Sequence, residues 1–266
     1  MAHFLKDRAE NPHEPVRPNR PDLSGAAIRT AKEDLAACFR MAARNGFEEG
    51  VCNHFSAVVP GYDDLFIVNP YGYAFRELTA SKLLICDFNG TVVDGAGEPE
   101  ATALYIHAEI HRRLPRARVA FHTHMPYATA LSMTEGPPLI WAGQTALKFY
   151  GRTTVDENYN GLALDHREGA RIARTVGDAD ILFMKHHGVL VLAPTIAEAW
   201  DDLYYLERAA EVQVLAMSTG RRVSPVDPAI AEAAYRQMRE GDADSARAHL
   251  AAIRRQLDAE EPQYRH

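Results

Sequence analysis

The stretch RVAFHTHMPYATAL, Arg118 to Leu131, constrains this chain more than any other. VAF reads as a buried strand and YATAL as the opening of a helix, so His122 and His124 fall where a strand runs out into a turn. In extended backbone, residues i and i+2 point to the same side. Two imidazoles on one side of a strand end can grip one metal ion. A second such place is ADILFMKHHGVLVLAP, a strand–turn–strand unit in which His186 and His187 stand before Gly188, where the backbone can bend sharply. Two sheet ends can converge in space although they are far apart in sequence. The spacing leaves two readings open, a metal site or hydrogen-bonded core histidines.

The 266 residues suffice for one large domain or two small ones. A formal charge of −7 with no basic stripe argues against nucleic acid as a partner. Cys38, Cys52 and Cys86 are an odd number at no metal-like spacing, which suits thiols in a reducing compartment. No signal-like apolar core opens the chain, and no apolar run approaches the roughly 20 residues of a membrane span. The expectation is a cytoplasmic protein with no membrane partner.

Residues 1–22 carry four prolines among charges and read as an extended arm. Ser24 is placed to cap a helix through AAIRTAKEDLAACFRMAARNG, with Ile28, Leu35, Cys38, Phe39 and Ala42 on one face and Gly46 as the stop. HFSAVVP, DLFIVNP and LLICDFNGTVVDG are β-prone, the last with a hairpin signal at Asn89-Gly90. A helix ATALYIHAEIHRRL leads to the histidine pair. Residues 136–165, rich in Gly, Pro and Asn, read as a long irregular segment. Thr195 caps a long helix from Ile196. The pattern predicts one α/β domain over 23–225, a central mixed sheet flanked by helices, followed by a helical C-terminal tail over 226–266. His107 and His111, four apart on a helix, read as surface and core residues, and His166 and His249 as solvated.

FHTHMPYATALS and LFMKHHGVLVLAPTIAEAWDDLYYLERAAEVQVLA resemble the class II aldolase/adducin family. VCNHFSAVVPG is similar to that family's Asn-containing substrate loop, and FIVNPYGYAFRELTASKLLICDFNGTVVDG to the strand, loop and hairpin after it. The resemblance spans about Ala27 to Ser218. It implies His122, His124 and His187 as ligands of one divalent metal ion per subunit, with zinc foremost and ferrous iron or manganese as alternatives. His186 stands where the family often has asparagine, so it is a neighbour of the site. Asn53, His54 and Tyr127 become substrate-binding candidates. The resemblance also implies a homotetramer with sites near subunit boundaries.

Two features depart from the aldolases. Ala103 stands at the position of their catalytic glutamate, and Glu100, about one helical turn earlier, is the candidate to replace it. The serines that hold a substrate phosphate are missing, which turns the expectation toward a small, non-phosphorylated carbonyl or keto-acid substrate. The function expected is a metal-dependent lyase of aldolase or decarboxylase type. One alternative is a mononuclear non-haem iron oxygenase acting on an aromatic keto or hydroxy acid, with Phe55, Tyr71, Tyr73, Phe75, Trp141, Phe149 and Tyr150 available to line such a site. Another is a non-catalytic adducin-like scaffold. Lys148, Tyr150, Tyr159 and Asn160 are further candidates for substrate contact.

Overall fold

The structure is a computed structural model that describes residues 23–266; the proline-rich arm lies outside the described residues. Helix α1 (Ala26–Arg44) buries Ile28, Leu35, Cys38, Phe39 and Ala42. Its N-cap is Gly25 rather than Ser24, without a side-chain cap. The chain leaves the helix through Gly46 at φ 70°. Strands β1 (His54–Val58), β2 (Leu65–Val68), β3 (Leu84–Asp87) and β4 (Val92–Asp94) follow. The β3–β4 turn has Gly90 at φ 88°, as the Asn-Gly pair predicts.

Helix α2 (Ala101–Arg113) then leads to β5 (Val119–Thr123) and α3 (Pro126–Ser132). Within the stretch expected to be irregular, α4 (Gln144–Leu147) and β6 (Thr153–Asp156) form. This corrects the sequence reading: β6 is a four-residue edge strand that pairs in parallel with β7 (Ile181–Met184). An edge strand needs little apolar pattern, and Thr153 to Val155 are only half-buried. Helix α5 (His166–Val176) precedes β7, and β8 (Gly188–Ala193) leads into α6 (Ile196–Ser218). Thr195 Oγ1 accepts from Glu198 N at 3.2 Å and caps α6. Helices α7 (Pro228–Arg239) and α8 (Asp242–Glu260) complete the fold.

Among the described residues eight strands form one mixed sheet in the order β4-β3-β2-β1-β5-β8-β7-β6, antiparallel except for β6/β7. Period-2 alternation sends Phe55, Phe121, Phe183 and Val191 to one face, where they join Phe39, Trp200 and Leu206 in the larger core. The rings of Phe39, Phe55 and Phe121 stack at centroid spacings of 4.7 and 4.0 Å. Leu250, Ile253 and Leu257 of α8 belong to the same core, so the C-terminal helices are built into the domain. On the opposite face α2 and α5 cover Ala120, Leu182, Leu190 and Leu192. His54, Ser56 and His122 share that second face, because His54 pairs with His122 and Ser56 with Ala120. Among the described residues no helix is long and apolar enough to cross a membrane.

Candidate metal centre

Strand register brings the histidines together. In the antiparallel β5/β8 ladder Thr123 lies opposite Val189, so His187, just before β8, is carried back toward His124, just after β5. Ligand atoms of His122, His124 and His187 all lie within 4.8 Å of one another. The three ring centroids are 4.8 to 5.0 Å apart.

The turn between β7 and β8 explains which histidine joins the cluster. His187 N donates to Met184 O at 3.1 Å, closing a tight turn in which His186 has φ 58°. His186 occupies the left-handed conformation and is exposed, whereas His187 turns inward. Asparagine tolerates that conformation better than most residues, so the turn would accept it at this position. The expectation that Gly188 supplies the bend is corrected: its φ is not positive. It is needed because a Cβ there would lie 2.6 Å from Thr123 O and 2.7 Å from His124 Cδ2. Glycine lets β8 start hard against the end of β5.

Hydrogen bonds orient the ligands. His122 Nδ1 donates to Val189 O at 2.9 Å, which leaves Nε2 bare. His124 Nδ1 is held by the Glu49 carboxylate, so its Nε2 is also free to bind. These two Nε2 atoms are 3.2 Å apart. At that distance either one nitrogen donates a proton to the other or both face a shared cation. Two nitrogens bound to one ion at about 2.0–2.1 Å sit roughly 2.9–3.4 Å apart, so the spacing fits a shared divalent ion. Burial lowers His122 well below its ordinary pKa and pushes His187 down to about 4, so both are neutral near pH 7. Sequence reasoning missed Glu49, whose partner lies 75 positions away in the chain.

Glu100 is not one of the three residues whose ligand atoms converge. It is the N-cap of α2, its Oε2 accepting from Ala103 N at 2.9 Å and from the Thr102 hydroxyl. The same oxygen is 3.9 Å from His54 Nε2. Ala103 is fully buried in the helix. His54 is buried with its ring 4.8 Å from that of His122. Asn53 is buried too, and its Oδ1 accepts from Glu49 N at 2.7 Å. Asn53 Nδ2 is a buried donor with no protein partner, as a residue awaiting a ligand oxygen would have.

Tyr127 is less directly placed. Its ring packs against the core, while its N–H and that of Ala128 each donate at 2.9 Å to Glu207, which anchors the start of α3. Phe55, Phe75 and Phe149 are buried in the core and do not wall the site. Lys148 is enclosed by Asp201, Asp202 and Asp242, a structural role. Tyr159 lies nearer, its ring 6.4 Å from that of His187. Tyr150 meets Trp141 edge to face, and Asn160 bonds Glu168. His107 and His111 are both buried on the site face of the sheet. His166 pairs with Glu109 at 3.0 Å, and His249 bonds Asp201 at 2.8 Å instead of being merely solvated.

Fold and site together define an α/β protein with a three-histidine centre at the ends of neighbouring strands. Residues 33–214 match the model of the class II aldolase and adducin N-terminal domain. The chain belongs to the class II aldolase and adducin family. It is 32% identical over 245 residues to a Pseudomonas aeruginosa protein named for the class 2 aldolases, covering 90% of this chain and 93% of that one. It is 31% identical to the 4-hydroxy-3-prenylphenylpyruvate oxygenase/4-hydroxy-3-prenylbenzoate synthase of Streptomyces roseochromogenus, over 70% of this chain and 67% of that one. The structure of an L-fuculose 1-phosphate aldolase from Glaciozyma antarctica superimposes with a TM-score of 0.81 at 25% identity, covering 94% and 97% of the two chains.

Proposed function

We propose that this protein is a metal-dependent carbon–carbon lyase, of aldolase or decarboxylase type, acting on a small, non-phosphorylated carbonyl or keto-acid compound. The observation that carries the reading is the pair of Nε2 atoms of His122 and His124, 3.2 Å apart, with a ligand atom of His187 beside them. A divalent ion bound there, zinc foremost, would act as a Lewis acid toward a chelated carbonyl oxygen. Glu49 fixes the ring of His124 and adds negative charge behind it. Asn53 Nδ2 is the donor available to a substrate oxygen. Glu100 and His54 offer proton acceptors on the α2 side of the cluster, the roles that carbon–carbon cleavage requires of a base.

A second reading, a mononuclear non-haem iron oxygenase, is favoured by the 31% identity to the prenylphenylpyruvate oxygenase and by Ala103 in place of the aldolase glutamate. Burial of Phe55, Phe75 and Phe149 in the core removes three aromatic residues that would have supported it. Oxygen separates the two. Protein loaded with zinc or manganese and assayed under argon against a panel of short keto acids and hydroxy-ketones is expected to turn over. Turnover only with ferrous iron, accompanied by stoichiometric oxygen uptake, would replace the lyase reading with the oxygenase.

A further inference from the structure

Between β1 and α2 lies a buried run of hydrogen bonds whose direction can be followed atom by atom. It starts at the Ala117 carbonyl, which can only accept. His111 Nδ1, 2.8 Å away, therefore carries a proton. Burial pushes His111 down to about 4, so the ring is neutral near pH 7 and its Nε2 is bare. That nitrogen lies 2.7 Å from Ser56 Oγ and accepts its hydroxyl proton. The serine oxygen has then given its only proton, and at 2.5 Å it accepts from His107 Nδ1–H. His107 Nε2 is left bare and accepts from His54 Nδ1–H at 2.8 Å. The Ala120 carbonyl, 3.5 Å from Ser56 Oγ, is too distant to compete. The opposite direction would set two lone pairs face to face at His111 and Ala117, or would need a buried cation.

The run thus ends on His54 with a bare Nε2. Among the described residues no free donor competes for it: the Thr102 hydroxyl, 3.5 Å away, gives its proton to Glu100, whose Oε2 at 3.9 Å is itself an acceptor. We propose that Ser56, His107 and His111 are positioning residues that lock His54 as a hydrogen-bond acceptor at the metal centre, so that the site selects ligands presenting an O–H donor beside their chelating oxygens. Such ligands are α-hydroxy acids or the enol forms of keto acids. This ligand preference rests on the metal-site reading above, whereas the tautomer lock does not.

The test is ¹⁵N NMR of histidine-labelled, zinc-loaded protein, with His54 assigned by the signal missing in His54→Gln. The expected result is a proton on Nδ1 and a bare Nε2 for His54, His107 and His111. A proton on Nε2 of His54 in the wild-type protein would overturn the proposal. In Ser56→Ala the lock is broken, and His54 is expected to drift toward the Nε2–H form that histidine prefers in water. Its preference for lactate over pyruvate, measured as competitive binding, is expected to fall about tenfold, the scale of one hydrogen bond. Ser56→Thr, which keeps the hydroxyl, should restore both readouts. An unchanged preference with a scrambled tautomer would overturn the ligand selection. Zinc content of the same samples separates the two ideas: a zinc-free sample with His54 in the stated tautomer defeats the metal-site reading and supports the lock.

Discussion

Glu49 shows how much of this site depends on residues that touch no ligand. Its carboxylate accepts from His124 Nδ1, which fixes the ring and makes Nε2 a better donor to a cation. Glu49→Gln keeps the shape but not the charge, and metal affinity is expected to fall about 10- to 100-fold in a competitive chelator titration. An unchanged affinity would reduce the contact to a surface pair. Glu100 is the proposed base. Glu100→Gln retains an oxygen to cap Ala103 N, so the helix should hold, while turnover is expected to fall by about 10² or more. Near-normal turnover with normal metal content would remove Glu100 from the chemistry. At this scale the histidines were legible in the sequence because period-2 geometry alone puts His122 and His124 on one side. Glu49 was not, since a turn residue meets its partner only through the fold. His186 and His187 were separable only by resemblance, until the φ of 58° at His186 supplied the physical reason.

At the scale of elements, the β5/β8 ladder and α2 do the assembling. The strands of that ladder were legible as apolar runs, and so was α2, whose observed span Ala101–Arg113 is the expected one without Leu114. Edge strand β6 was not legible, because Thr-Thr-Val-Asp in a Gly- and Asn-rich stretch carries no alternation that a buried strand would impose. The four-residue spacing of His107 and His111 marked one helix face. It did not reveal that Ser56 of β1 sits between them. Their burial has a consequence for stability. Unfolded histidine titrates near about 6.5, whereas His111 is held down at about 4 and His107 well below its ordinary value by burial. Between those values the unfolded chain takes up protons that the folded chain refuses. Stability is therefore full above about pH 7 and falls as the pH drops through 6.5 toward 4, by up to about 1.4 kcal/mol per pH unit for each such histidine. Urea midpoints at several pH values should show this, and His111→Gln, which can still accept from Ser56, should flatten the slope. An equal slope in that variant would mean that His111 is not held neutral by the fold.

On the scale of the whole molecule, one sheet carries a large aromatic core on one face and the histidines on the other. The C-terminal helices were readable as amphipathic, but the place of α8 in the main core was not, because a helix pattern does not say which element it covers. Several apolar side chains remain outward in the chain by itself: Leu162 and Val212 are 62% and 60% exposed, and Leu164, Leu215 and Ile230 are exposed too. Such outward side chains are available to subunit contacts. Sedimentation analysis is expected to give an assembly of four 29.5 kDa chains at micromolar concentration, and a stable monomer would contradict it. The measurement that bears most directly on the account is element analysis of the anaerobically purified protein and four variants. One divalent ion per chain is expected in the wild type and in His186→Ala, with most of it lost in His122→Ala, His124→Ala and His187→Ala. Metal retained by the His187 variant and lost from the His186 variant, or no bound metal in any of them even after loading, would contradict the three-histidine centre.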